Sequence, residues 1–136
     1  MAVGQKKLNV EDQAVLRAMA SMGGGIASSG CVCGALTGAV VFLGSILGKD
    51  EPDKKDDPLM WKVCNKLYQR FENEVVGTYG SVNCRDISGV SLKNRRQVIG
   101  FNRGDGRAKC AKITGKSARI LGEVLEDYSD KLNTCG

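Results

Sequence analysis

From Ala18 to Gly48 the chain runs 31 residues without a formal charge. That stretch constrains the fold more than any other feature, because a run this apolar has to leave water, for lipid or for a protein core. Its length alone fits a membrane span. Two details favour a core. Gly23-Gly24-Gly25 splits the run, and eight glycines fall between positions 23 and 48. The continuous apolar part, roughly Ala35 to Leu47, has the length of a buried helix. Gly30, Gly34 and Gly38 recur every fourth residue, which predicts a helical face of small residues that another backbone can approach closely. The whole chain has 136 residues, 42% of them hydrophobic, enough for one domain over 1–136 with its own core. Three Phe, one Trp and three Tyr are its only aromatics, so that core is aliphatic.

The flanks of this run read as helices. Over residues 8–22, Val15, Met19 and Met22 fall at helical spacing, with Asn9 as the N-cap, and the glycine triplet stops the helix. Residues 49–58 form a charged linker carrying both prolines. An amphipathic helix follows over 59–76, its apolar stripe Met60, Cys64 or Val63, Leu67, Phe71 and Val75, ended by Gly77. Ser81 opens a short helical turn that Gly89 closes. Residues 90–106 are basic and aperiodic and read as a loop. A last helix is expected from about Arg107 to Leu132, with Leu121, Val124, Leu125, Tyr128 and Leu132 on its apolar face. No strand-like alternation occurs. The expected class is all-α, four or five helices packed around the glycine-rich one.

Charge is unevenly distributed. Residues 1–58 hold six Lys/Arg against seven Asp/Glu, whereas residues 85–119 hold ten against two, a net of +8. Such a field favours an acidic redox partner protein or another anion. Nucleic acid is not expected, because Phe101 is the lone aromatic in that stretch and offers no stacking platform. No secretory signal pattern precedes the first apolar run, so a cytoplasmic setting is expected. A homodimer is expected if the apolar helix needs a second copy to cover it.

The chain has six cysteines and no histidine. Without an imidazole there is no Ser-His-Asp or Cys-His catalytic unit, no histidine-ligated zinc and no histidine-ligated haem. Sulfur is left to carry any covalent or metal chemistry. Cys33 falls where the core helix begins, Cys84 in the first turn of the short helix, and Cys110 near the start of the last helix. Free amide groups at helix starts stabilise a thiolate, which is the form that ligates metal or attacks a disulfide. Cys31 and Cys33 form a C-x-C pair, too tight for an unstrained disulfide but suited to a soft metal. Cys64 lies on an apolar face as a small hydrophobe, and Cys135 lies next to the C-terminal residue. Thr114-Gly115-Lys116-Ser117 imitates the end of a phosphate-binding loop, but Cys110 stands where that motif needs glycine.

Gly23-Gly24-Gly25-Ile26, then Cys33-Gly34-Ala35-Leu36-Thr37-Gly38, then Cys84-Arg85, then Cys110 resemble the C-GCAxxG-C-C family, small bacterial and archaeal redox-active cysteine proteins. The resemblance spans about Leu8 to Leu132. It implies that Cys33, Cys84 and Cys110 correspond to three of the family's four characteristic cysteines. The family's first cysteine has no counterpart before Cys31, so Cys31 or Cys64 is expected to replace it. Three functions are expected in order. The first is a sulfur-held metal centre, a [2Fe–2S] cluster ahead of zinc, on Cys33, Cys84, Cys110 and Cys31 or Cys64, for electron transfer or redox sensing. The second is a metal-free thiol–disulfide oxidoreductase with Cys33 or Cys84 as the attacking group. The third is a helical interaction or membrane-associated protein in which the cysteines are incidental.

Overall fold

A computed structural model describes residues 1–129. Among them are seven α-helices and no strand: α1 (Ala2–Leu8), α2 (Gln13–Ala18), α3 (Gly34–Leu47), α4 (Pro58–Glu74), α5 (Cys84–Ser88), α6 (Arg95–Arg103) and α7 (Gly106–Asp127). The all-α expectation holds, with more helices than the four or five expected.

The glycine-rich run divides as its composition dictates. Its first part is irregular chain and its second part is α3, which buries Leu36, Ala39, Phe42, Leu43 and Leu47. α4 and α7 pack on α3 and on each other. α4 contributes Val63, Leu67 and Phe71, and α7 contributes Ile113, Ile120, Leu121, Val124 and Leu125. Phe42 and Phe71 have no exposed surface, and each buried side chain of this size contributes about 2–3 kcal/mol relative to exposure. On α4 it is Val63, not Cys64, that reaches the core; Cys64 remains half-buried. Ser117 ties two core helices together, its hydroxyl donating to the Ala35 carbonyl at 2.7 Å. Arg70 and Arg119 pair with Glu74 and Glu123 in a four-membered ion network that fastens α4 to α7 at the surface. Among the described residues no helix is long and apolar enough to cross a membrane.

Several expected boundaries change. The helix expected over 8–22 is confined to α2 and a 3-10 turn, Met19–Met22, and a separate helix, α1, precedes it. Asn9 does not cap its start; it adopts a left-handed conformation (φ 53°) and ends α1. Asn tolerates that region because its short polar side chain can bond locally. The cap of α2 is Asp12, whose carboxylate accepts from the Val15 amide at 2.9 Å. Gly77 does not end α4, which stops at Glu74 and passes into a 3-10 turn, Val76–Thr78. The 90–106 stretch is not wholly loop, because it contains α6, capped by Asn94, which accepts from the Arg96 and Gln97 amides at 3.0 and 3.2 Å. The small-residue face also fails as a continuous helical ridge. Gly30 lies in the loop before α3 with φ +81°, and only Gly34 and Gly38 belong to the helix. Leu132 lies outside the described residues.

Candidate functional site: three thiols around one cavity

The chain between the glycine triplet and α3 is held in an unusual form. Gly24, Gly25, Ile26, Ala27 and Ser28 all have positive φ, between 49° and 71°. Five consecutive left-handed residues make a tight reversed turn, closed by amide bonds from Ala27 to the Ser21 carbonyl (2.7 Å) and from Ser28 to the Gly23 carbonyl (3.0 Å). The Gly30 and Cys31 amides then bond back to the Gly24 and Gly25 carbonyls at 3.0 and 3.1 Å. The turn delivers residues 30–33 alongside residues 82–85. The Cys33 amide donates to Val82 (2.9 Å), the Cys84 amide to Cys31 (2.7 Å) and the Arg85 amide to Gly30 (3.1 Å), and Val32 and Asn83 make an antiparallel bridge. Gly25 is wedged into this junction. A Cβ there would collide with the Cys31 carbonyl oxygen and fall 2.7 Å from the Cys84 Cβ.

The consequence is positional. Cys33 caps the start of α3, Cys84 is the first residue of α5, and Cys110 sits in the opening turns of α7. All three line one cavity of about 250 Å³, together with Ile87, Ile113 and Thr114. The other cysteines stand elsewhere. Cys31 is exposed and does not line the cavity, although its carbonyl holds Cys84. Cys64 borders a separate surface groove with Trp61 and Tyr68. Cys135 lies outside the described residues. The five described cysteines are all free thiols.

Helix starts do not make Cys84 and Cys110 acidic. Burial pushes the Cys84 thiol up to about 11, and the neighbouring Cys33 and Cys110 sulfurs push in the same direction. Burial also raises Cys110, with Cys33 adding to the rise and Lys109 opposing it. The physical reason is geometric. α5 has five residues and therefore little dipole, while the cavity wall withdraws the sulfurs from water. Burial also raises Cys64.

The donor set does not fit the four-sulfur cluster expected from the sequence. An all-cysteine [2Fe–2S] centre takes four thiolates, and among the described residues three thiols face the cavity. Neither Cys31 nor Cys64 supplies the fourth. Among the described residues no three Cys, Asp or Glu side chains stand close enough together to hold a metal ion.

Residues 1–124 match the family described as "Putative redox-active protein (C_GCAxxG_C_C)". The chain belongs to that family. No curated protein and no solved structure matches it.

Sequence reading missed the wedge at Gly25 and the wall formed by Ile87, Ile113 and Thr114. The triplet of glycines was the available signal for the first: adjacent glycines mark a backbone that needs positive φ or close approach as well as a helix stop.

Proposed function

We propose that this family member is a metal-free thiol redox protein in which Cys84 forms a reversible disulfide with Cys33 or Cys110. The observation that carries this reading is the convergence of three free thiols, from three helices far apart in sequence, on one small cavity. All three pairs interact electrostatically, Cys84 with Cys33 and with Cys110, and Cys110 with Cys33.

The chemistry is two successive exchanges. A thiolate at Cys33 or Cys110 attacks one sulfur of a substrate disulfide. That S–S bond breaks, a mixed disulfide forms, and the first substrate thiolate leaves and takes up a proton. Cys84 then gives its proton to solvent base and attacks the protein sulfur of the mixed disulfide, expelling the second substrate thiolate. The substrate disulfide is reduced by two electrons to two thiols, and the protein dithiol is oxidised to an internal disulfide. A dithiol reductant reverses the protein step. The high Cys84 pKa makes the second exchange slow at neutral pH and faster as pH rises.

The test is a redox titration of the reduced protein with thiol counting and peptide mapping by mass spectrometry. The expected result is the paired loss of two thiols, mapping to Cys84 with Cys33 or Cys110, and reversal by dithiothreitol. If no pair among the three changes state across the titration, the reading fails. Metal content and an absorption spectrum, taken on anaerobically purified protein beforehand, separate this reading from a sulfur-held iron or zinc centre.

A further inference from the structure

A second depression adjoins the thiol cavity. It is a cleft of about 570 Å³ between the reversed turn and the α5–α6 connection, lined among others by Ser29, Gly30, Arg85, Asp86, Leu92 and Lys93. Its volume suits a small ligand. The two depressions have no lining residue in common, but their walls are neighbours. Cys84 lines the cavity and Arg85, the next residue, lines the cleft. Gly24 lines the cavity, and its open side faces Leu92 of the cleft, whose Cδ1 would lie 2.7 Å from a Cβ placed there. The cleft is therefore lined by the residue that follows a cavity cysteine.

The cleft is electropositive. Arg85 has a side chain 66% exposed, and its Nε lies 3.7 Å from Asp86. Asp86 spends most of its acceptor capacity on its own turn: its Oδ2 accepts from the Ser81 hydroxyl at 2.5 Å and from the Asn83 amide at 3.4 Å. Lys93 is exposed and makes no ion pair among the described residues. Arg85 and Lys93 belong to the stretch 85–119, which holds ten Lys/Arg against two Asp/Glu. On the far side of the cavity, Lys109 acts on Cys110. Positive charge thus stands on α5 and the α5–α6 connection at the cleft, and on α7 beside Cys110.

We propose that the thiol cavity serves small disulfides bearing carboxylates beside the sulfur–sulfur bond, the carboxylate resting in the adjoining cleft on Arg85 and Lys93. The proposal rests on the thiol-redox reading above and names its substrate class. One such disulfide is consumed per cycle, two carboxylate-bearing thiols are released, and the protein dithiol supplies both electrons. Charge selects the substrate here in two ways. It raises the local concentration of an anion at the mouth, and it stabilises the thiolate that leaves within the same field.

The experiment compares three disulfides on the reduced protein: glutathione disulfide (anionic), bis(2-hydroxyethyl) disulfide (neutral) and cystamine (cationic). Each rate of thiol loss is divided by the rate on the urea-unfolded chain, which removes intrinsic reactivity. The expected order is anionic, neutral, cationic, with about a tenfold spread at low salt that narrows at high salt. The double variant Arg85→Gln with Lys93→Gln abolishes the order. The control pair Lys54→Gln with Lys55→Gln, on the exposed linker, leaves it intact. Alkylation by iodoacetate against iodoacetamide reads the same preference without any redox step. Equal normalised rates for the three disulfides, or an order that survives in the double variant, overturns the proposal while leaving the redox reading in place. Thiols that prefer iodoacetate but resist oxidation by every disulfide overturn the redox reading, and this substrate class with it.

Discussion

Gly25→Ala is the substitution that most directly probes how the site is held. Gly25 has φ +71°, and an L-residue there costs about 1–2 kcal/mol in backbone strain. The new methyl would also strike the Cys31 carbonyl oxygen and lie 2.7 Å from the Cys84 Cβ and 2.8 Å from the Cys31 nitrogen. Two of those three atoms are backbone, so relief requires moving the strand-like junction itself, a further 1–3 kcal/mol on the usual scale of overpacking. Reduced freedom of the unfolded chain returns about 0.5–1 kcal/mol. The net loss is about 2–4 kcal/mol, which lowers a urea midpoint by roughly 1–2 M. Gly115→Ala is the matched control. It is the same chemical change, in the exposed middle of α7 with nothing within 4 Å of the added carbon, and it stabilises the helix by about 0.5–1 kcal/mol. Equilibrium urea unfolding followed by circular dichroism measures both. Because the Cys84 amide is anchored on Cys31, alkylation of Cys84 also accelerates in the Gly25 variant under native conditions. A Gly25→Ala midpoint indistinguishable from wild type, or shifted upward like that of Gly115→Ala, would refute the wedge.

Four other outcomes are expected. Cys84 alkylation stays slow at neutral pH and rises about tenfold per pH unit toward about 11, tracked by mass mapping; a plateau near pH 8 contradicts the burial account. Since folding favours the protonated form of that thiol, its contribution to stability is present below the ordinary value of 9.0 and is lost as pH climbs toward about 11, and Cys84→Ser removes that alkaline slope from the Tm–pH curve. Ala27→Gly, at an exposed position with φ 49°, raises stability by about 0.5–1 kcal/mol, a gain of a few degrees in Tm, where glycine in an ordinary loop would lower it. Arg70 holds the Glu74 and Glu123 carboxyls below the usual glutamate range, so their contribution is present above 4.5 and fades as pH falls through the lowered values. Arg70→Gln therefore flattens the acid limb of the Tm–pH curve, and an unchanged acid limb counts against the network.

How much of the fold could be read from sequence depended on how far each signal was local. α3 was legible because a long uncharged run has one soluble solution, and α4 because its stripe repeats at helical spacing. Val63 was preferred over Cys64 at the core by packing across to α3 and α7, which the α4 sequence does not contain. α6 was missed because Arg95, Arg96 and Arg103 mask a short apolar face in which Val98 and Phe101 are half-buried. The Asn94 cap was the available signal. The break between α1 and α2 was missed for a related reason. Asn9 and Asp12 are both plausible caps, and only the backbone shows that one terminates a helix while the other begins the next.

The thiols make a sharper case. Spacing along the chain put three cysteines near helix starts, and that much agrees with the structure. The inference from helix start to stabilised thiolate does not survive for Cys84 and Cys110, because it counts the element a residue belongs to and omits what packs over it. A helix terminus contributes roughly 0.3–1 kcal/mol to a charged group, whereas each pKa unit of desolvation is about 1.4 kcal/mol. For a five-residue helix against a half-buried sulfur, desolvation wins. That balance bears on function. A cavity that keeps Cys84 and Cys110 protonated at rest is slow toward arbitrary oxidants and selective for one that brings compensating interactions with it. Compensation for a developing thiolate has to come from positive charge: Lys109 already opposes the rise at Cys110, and in the substrate class proposed above the remainder falls to Arg85 and Lys93, in the basic stretch that the sequence shows most plainly.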